Sequence, residues 1–179
     1  MLRVGVGSVV LVSILLAMEG RASVVAQQTS LADVVKQSDL IVLAVEAIPA
    51  TGTATFKGAP PDFRPLVARY RPVEVLHRRG RTIAVGAVLE VFPADLDIQL
   101  GQHLASKRPQ RGPNPIFSLP VYHRAAEPKT RPSRRLLFLS QDAGRRIWRF
   151  VCGNSWETES ARTLVRQLLA AQRTDNKKP

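Results

Sequence analysis

The sequence predicts a mainly β (α+β) domain with a short N-terminal helix and a C-terminal amphipathic helix. Three observations lead to this prediction. β-favouring apolar runs recur between turn-forming residues, helical spacing of apolar residues is confined to the two ends, and the 179-residue chain is 45% hydrophobic, which allows one folded core. We expect a single domain over residues 27–174, followed by a polar tail at 175–179.

Residues 1–26 have the layout of a secretory signal peptide. A basic start precedes the apolar run 4–18, which at 15 residues is shorter than the roughly 20 that a membrane-spanning helix needs, and small residues up to Ala26 suit cleavage there. We therefore expect an exported protein, periplasmic or secreted, with no transmembrane span after cleavage. An uncleaved anchor is the alternative, because Glu19 and Arg21 closely follow the apolar run.

Charge and cysteine content restrict the class of protein further. The net charge is +12 at pH 7, which attracts anionic partners but bears on solubility and loose association rather than on the fold. The sequence contains one cysteine, Cys152, so no intramolecular disulfide can form and the class of small disulfide frameworks is excluded. We expect the core alone to hold the exported chain together.

The first elements of the domain follow from local patterns. Ser30 and Asp33 have the spacing of a capping box, which predicts a short helix through about Gln37. The continuous β-favouring run 40–45 predicts a central strand that is buried on both faces. Residues 49–66 are rich in proline and glycine and predict a long mobile loop.

A β-hairpin with a basic tip is predicted next. Its first strand, 67–76, contains Pro72, which cannot donate to a sheet ladder and therefore predicts an edge position or a bulge. The basic turn 77–81 follows, and residues 83–92 return as the second strand.

A long Pro/Arg-rich loop is predicted at about 101–133. Six prolines interrupt the segment 101–135. The segment contains eight Lys and Arg residues and one acidic residue, Glu127. Loops of this length inside a domain are usually functional or disordered.

A second hairpin and a helix complete the domain. Residues 136–139 predict a short buried strand, residues 143–144 a turn and residues 146–152 the last strand, so that the two strands pair. A helix is expected from about Ser155 or Thr158, with its apolar face packed on the strands. That face consists of Ala161, Leu164, Val165, Leu168 and Leu169.

Four segments, taken in order, carry a resemblance to a known group of proteins: 38–42, 75–76, 86–91 and 136–139. Their layout resembles that of a loose group of exported bacterial proteins of unknown function. Members of the group look like small β-barrels similar to the oligonucleotide/oligosaccharide-binding (OB) fold and to the tissue-inhibitor-of-metalloprotease module. The resemblance implies a small OB-like antiparallel β-barrel acting as a binding or accessory module, and it brings no catalytic residues to this chain.

The residues with catalytic potential do not form a recognisable site. No histidine has a partner at metal-ligand spacing, so we expect solvated loop histidines and no metal or other cofactor. Glu74 and Glu90 are expected to pair with arginines across the first hairpin. No GxSxG nucleophile elbow occurs, and we expect no enzyme and no catalytic residues. The three histidines are His77, His103 and His123.

Cys152 is expected to be buried. In the predicted last strand it shares one face with Trp148 and Phe150, which favours a small hydrophobic core residue. An intermolecular disulfide and a reactive thiol are the alternatives.

Arginine clusters are the candidate binding site. Guanidinium groups contact carboxylates and phosphates through paired hydrogen bonds. Because export makes nucleic acid an unlikely partner, we expect anionic envelope components or acidic proteins, with an ordinary solvated basic surface as the alternative. The candidate anion-binding residues are Arg78, Arg79, Arg81, Arg108, Arg111, Arg124 and Arg131.

The sequence thus predicts an exported, non-enzymatic binding or envelope accessory module. The alternative is a hydrolase or a protease-inhibitor-like regulator with a site built from loops. A flat basic face favours the first function, and a compact polar pocket beside the barrel favours the second.

Overall fold

A computed structural model describes residues 23–107, 116–124 and 128–175 of the chain. Within these ranges the protein forms a closed five-stranded barrel, a separate two-stranded sheet and three α-helices. In chain order the elements are β1 (Ser23–Thr29), α1 (Leu31–Gln37), β2 (Leu40–Thr53), β3 (Leu66–Arg78), β4 (Leu89–Phe92), α2 (Leu96–Ser106), β5 (Ile116–Tyr122), β6 (Arg134–Asp142), β7 (Ile147–Phe150), β8 (Trp156–Thr158), a 3-10 turn (Glu159–Ala161) and α3 (Arg162–Asp175).

The barrel has the strand order β2-β3-β4-β7-β6, and β6 pairs with β2 to close it. This is the small OB-like α+β barrel that the sequence predicts, with one correction. Its neighbouring strands are antiparallel except β4 and β7, which run parallel. Since parallel strands begin at the same end of a sheet, β4 and β7 both start at one end of the barrel.

β2 divides the core into two layers. Successive strand residues point to opposite faces, so Leu40 and Val42 enter the barrel interior while Ile41 and Leu43 pack under α1 and α3. The prediction of a strand buried on both faces is confirmed. A third cluster lies outside the barrel, where loop 54–65 and α2 cover β3 and β4.

α1 and α3, which cover the layer that contains Ile41 and Leu43, have different signals at their N-termini. The Ser30 side chain accepts a hydrogen bond from the Asp33 backbone N–H at 3.2 Å, as the capping pattern predicts, and α1 follows. α3 starts at Arg162 rather than at Ser155 or Thr158, because β8 and the 3-10 turn occupy those residues. Leu164, assigned to the apolar face, is exposed instead.

The predicted mobile loop at 49–66 is shorter and anchored. β2 continues through an irregular register to Thr53, and the remaining loop 54–65 buries Phe56 and Phe63 against the barrel. The two rings meet edge to face with centroids 6.1 Å apart.

The first hairpin is confirmed, with a longer first strand, which includes His77 and Arg78 of the predicted turn, and a shorter second strand. β3 and β4 pair antiparallel, and the register slips next to Pro72, which confirms the predicted bulge. β4 begins only at Leu89, because the segment 79–88, called loop 79–88 below, folds back along β3. The Gly86 N–H donates to the Pro72 carbonyl at 2.8 Å.

The predicted long loop at 101–133 contains regular structure. α2 extends to Ser106, and β5 pairs in parallel with β1. Residues 108–115 and 125–127 lie outside the described residues, as does the predicted leader apart from Ser23–Ala26, which belongs to β1. In the described ranges no helix has the length and apolar character needed to cross a bilayer.

The second hairpin is confirmed, and the position of Cys152 is corrected. β6 and β7 pair antiparallel around the turn 143–146. β7 ends at Phe150, so Cys152 does not continue its face. The thiol is buried as predicted, but among residues under the helices, whereas Trp148 lies in the barrel interior.

Candidate anion-binding groove

A groove of about 520 Å³ lies where β4 and β7 begin. Loop 79–88 forms one wall, and the turn that leads into β7 contributes another part of the lining. We call it the β4–β7 groove. It is lined by Thr55, Arg81, Thr82, Ile83, Ala84, Ala87, Val88, Leu89, Glu90, Phe92, Arg146, Ile147 and Trp148.

Local backbone features hold loop 79–88 in place. Gly80 and Gly86 both have positive φ, a conformation that glycine adopts without steric penalty. Arg78 donates from Nη1 to the Thr82 hydroxyl at 2.9 Å, and the Arg81 N–H donates to the Gln141 side chain at 3.3 Å. Together with the bond between Gly86 and Pro72, these contacts fix the wall against β3 and β6.

The turn before β7 contains two consecutive arginines, and among the described residues only Arg145 has acidic partners. Arg145 pairs with Asp97 at 2.6 Å and with Asp142 at 3.2 Å, and Arg149 also pairs with Asp97. Partial burial opposes ionisation of Asp97, but the hydrogen bonds from the two arginines hold its pKa below the usual range. Arg146 has a φ of 61° and is exposed in the groove lining.

The unpaired charge in the groove is positive. Glu90 is the one carboxylate in the lining, and Arg69 donates to it from Nε at 3.1 Å and from Nη2 at 2.9 Å. Arg81 and Arg146 have no carboxylate partner among the described residues. An anion entering the groove therefore meets two guanidinium groups supplied by separate segments of the chain.

The groove offers no exposed aromatic surface. Phe92 and Trp148 line it, but they are only 3% and 6% exposed, because their rings belong to the packed clusters beneath. The large apolar side chain exposed in the lining is Val88, which is 51% exposed.

No protein-family model, curated protein or solved structure matches the chain. The resemblance to exported barrel proteins stays a prediction. Functional conclusions rest on the groove's own geometry.

The candidate arginines that the structure describes lie at two ends of the barrel. Arg78 pairs with Leu40 at one end of β2, and Arg134 pairs with Val45 further along the same strand. Five residues of strand span about 17 Å. Arg79 and Arg81 belong to the first end and Arg131 to the second, while Arg108 and Arg111 lie outside the described residues.

The arginines at the second end are engaged by their surroundings. Arg131 and Arg135 both pair with Glu46, at 2.6 and 3.0 Å. The guanidinium groups of Arg124 and Arg135 lie over the ring of Trp156, 3.8 and 4.5 Å from its centroid. This cluster closes the barrel end through ion pairs and cation–π contacts.

Arg146 is the groove residue that sequence reasoning missed. The pattern at 143–152 predicts a turn followed directly by a strand, which makes Arg146 an ordinary first strand residue. The available signal is its position in the turn. A tight hairpin turn of this length needs a residue with positive φ, and Arg146 is the last turn residue before β7.

The histidines lie in regular elements rather than in loops, with one exception. His77 is half-buried in β3, and burial together with the charges of Arg79 and Arg173 lowers its pKa. His103 is part of α2, and only His123 is an exposed residue between elements. In the described part of the chain no three His, Cys, Asp or Glu side chains are grouped to hold a metal ion.

The two glutamates predicted to pair across the hairpin behave differently. Glu90 pairs with Arg69, its direct cross-strand neighbour, which confirms that prediction. Glu74 instead contacts Arg162 and Arg166 of α3, and so attaches the helix to β3. Hydrogen bonds from those arginines outweigh desolvation and lower the pKa of Glu74.

Cys152 is a core residue with low reactivity. Burial raises the pKa of its thiol, which reduces the thiolate population needed for nucleophilic chemistry. The neighbouring Tyr122 donates its hydroxyl proton to buried Glu157, so that both polar groups are satisfied.

Proposed function

We propose that this protein is a non-enzymatic binding module that holds an anionic ligand in the β4–β7 groove. The observation that carries the proposal is the presence of Arg81 and Arg146 in the lining with no carboxylate partner among the described residues. Guanidinium groups recognise carboxylates and phosphates through paired, charge-assisted hydrogen bonds.

The position of the groove supports a binding role. OB-fold barrels take extended ligands on the face of their second and third strands, between the loops that follow strands one and four. In this barrel those loops are 54–65 and 143–146, and they contribute Thr55 and Arg146 to the lining.

The site is a groove rather than the flat basic face expected for a binding module, but the chemistry of its lining favours binding over catalysis. Its polar side chains are two threonines, two arginines and Glu90, and Glu90 is held by Arg69. None of the threonines has a histidine or a free carboxylate in the lining to act as a base. The hydrolase alternative therefore has no nucleophile–base pair at this site.

The ligand class that fits best is an anion without nucleobases. Proteins that bind single-stranded nucleic acid stack bases on exposed aromatic side chains, and the rings of Phe92 and Trp148 are buried. We further propose, from the leader-like residues 1–26, that the protein is exported and that its ligand is an anionic component of the cell envelope.

Binding of long-chain inorganic polyphosphate tests the proposal. The full-length protein is titrated calorimetrically beside an Arg81→Gln/Arg146→Gln variant and a Lys36→Gln/Arg173→Gln control, which removes two exposed cations from the helices. We expect the affinity to fall at least about tenfold in the groove variant and less than about twofold in the control. Equal losses in both variants, or no binding by the natural protein, contradict the proposal.

A further inference from the structure

We infer that the anionic partner at the groove is the surface of a lipid bilayer, which this face contacts peripherally. The inference rests on the proposed function, because it uses the same arginines. It adds an apolar component that a soluble anion does not need.

Three exposed valines lie in the groove lining or on the segments next to it. Val85 and Val88 belong to loop 79–88 and are 60% and 51% exposed, and Val73 on β3 is 42% exposed. The hydrogen bond from Gly86 to the Pro72 carbonyl joins the chain next to Val85 with the chain next to Val73. The segments that carry Val73 and Val85 are therefore neighbours, and Val88 follows in the groove lining. We call these three side chains the valine patch.

Cations with no carboxylate partner accompany the valine patch, because Arg81 and Arg146 share the groove lining with Val88. Arg79, Arg81 and Arg146 are exposed, and none has an acidic partner among the described residues. Arg78 is exposed as well, and its hydrogen bond goes to the neutral Thr82 hydroxyl. Glu90, the acid of the groove, is neutralised by Arg69.

This combination matches the interfacial region of an anionic membrane. Negative head groups attract basic residues close to the surface, and apolar side chains between those residues leave water for the boundary of the acyl chains. A soluble polyanion makes use of the arginines alone and leaves the valines in water. Exposed apolar surface rimmed by polar groups marks an interaction site, and the positive rim selects an anionic bilayer as its occupant.

Vesicle co-sedimentation tests the inference. The full chain is mixed with vesicles of phosphatidylcholine containing 30% phosphatidylglycerol, and with vesicles of phosphatidylcholine alone. The excess bound by the anionic vesicles is the quantity measured, so that any contribution of the apolar run 4–18 is common to both. Polyphosphate is titrated in parallel as the soluble anion.

Two matched double variants separate the outcomes. We expect Val73→Gln/Val85→Gln, which changes two valines outside the groove lining, to lower the excess binding to anionic vesicles at least about fivefold and to leave polyphosphate binding and the melting temperature unchanged. The control Leu104→Gln/Leu164→Gln replaces exposed apolar residues of α2 and α3. It should change neither the excess binding to anionic vesicles nor the binding of polyphosphate.

Other results overturn the inference in distinguishable ways. If the valine variant binds anionic vesicles as the natural protein does, while polyphosphate binding still requires Arg81 and Arg146, the ligand is a soluble anion and only the proposed function stands. Valine-dependent binding of polyglutamate without vesicle binding identifies an acidic protein partner instead. If the natural protein binds neither polyphosphate nor anionic vesicles, both proposals fail.

Discussion

Arg146 combines a left-handed backbone conformation with an exposed guanidinium group in the groove lining. Its φ of 61° lies in the left-handed region, which costs a residue other than glycine about 1 kcal/mol. Its exposed guanidinium lies in the groove lining without a carboxylate partner in the described part of the chain. A strained backbone under an unpaired charge is typical of a functional position.

We predict that Arg146→Gly separates stability from binding. Because glycine adopts this conformation without penalty, the free energy of unfolding should stay equal or rise by up to about 1 kcal/mol. Polyphosphate affinity should fall, since one guanidinium is lost. Urea denaturation and calorimetry of the same variant measure both quantities, and a destabilised variant with unchanged affinity contradicts this assignment.

β2 provides a matched pair for testing the core. Ile41 is fully buried and Ile48 is 94% exposed on the same strand. Ile41→Asp should prevent folding, because it places an unpaired carboxylate in the layer under the helices at a cost above about 4 kcal/mol. Ile48→Asp should leave the thermal transition almost unchanged. If the Ile41 variant unfolds cooperatively at the melting temperature of the natural protein, the described core is excluded.

Asp62 predicts a pH dependence in the acid range. The hydrogen bond from Lys107 lowers the pKa of Asp62 to about 2, from an unfolded value of 3.8. A depressed folded pKa adds stability that is complete above pH 3.8 and is lost as the pH falls towards 2. The natural protein should therefore approach the stability of Asp62→Asn between pH 4 and pH 2 in urea titrations. A constant difference across that interval argues against the Lys107 contact.

At the scale of elements, loop 79–88 shows why a β-favouring run does not form a strand. Residues 83–88 have the composition of a strand, but the ladder between β3 and β4 ends at the pair of Tyr70 and Leu89, and Pro72 lies two residues further along β3. Pro72 has no N–H to offer the next residue. The chain leaves the sheet, and Gly86 with its positive φ lets it return so that the Gly86 N–H donates to the Pro72 carbonyl.

We predict opposite effects for two glycine-to-alanine substitutions. Gly86→Ala meets no atom within 4 Å, so its effect is the backbone penalty at φ 83°, about 1 kcal/mol of destabilisation. Gly101→Ala also meets no atom, but it lies inside α2 and should stabilise by about 0.5–1 kcal/mol through helix propensity. Thermal denaturation measures both variants. The same sign for the two changes contradicts the geometry of loop 79–88.

Elements with strong local signals were predictable, and those that depend on distant partners were not. The capping residues of α1, the apolar run of β2 and the hairpin of β6 and β7 are encoded locally, and the structure contains all three. β8 has three residues and exists because it pairs with β6. α2 was missed because Gly101 and the polar residues around it weaken its helical pattern.

At the scale of the whole molecule, barrel closure decides which charges are available. Glu46 neutralises Arg131 and Arg135, which are far away in sequence but lie across from it at the barrel end. The described members of the predicted arginine set therefore divide into an engaged cluster and a group at the end of the barrel where Arg81 enters the groove. Sequence reasoning identified the positive character of the surface, and only the fold brings Arg81 and Arg146 into one lining.

The parallel pairing of β4 and β7 creates the groove. Because the two strands start at the same end, loop 79–88 and the turn at 143–146 meet there with loop 54–65. No sequence pattern reports this pairing, since the strands are separated by α2, β5 and β6. The positive charge of the candidate site could be predicted from the sequence, but its location at the start of β4 and β7 could not.

An NMR titration of ¹⁵N-labelled protein with tripolyphosphate tests the central claim most directly. We predict that the amide shifts that respond to the ligand cluster at residues 81–90 and 146–148, and that they saturate together and weaken with salt. Responses centred on Arg131, Arg135 and Trp156, or spread evenly over the exposed arginines, would contradict the assignment of the β4–β7 groove as the anion-binding site.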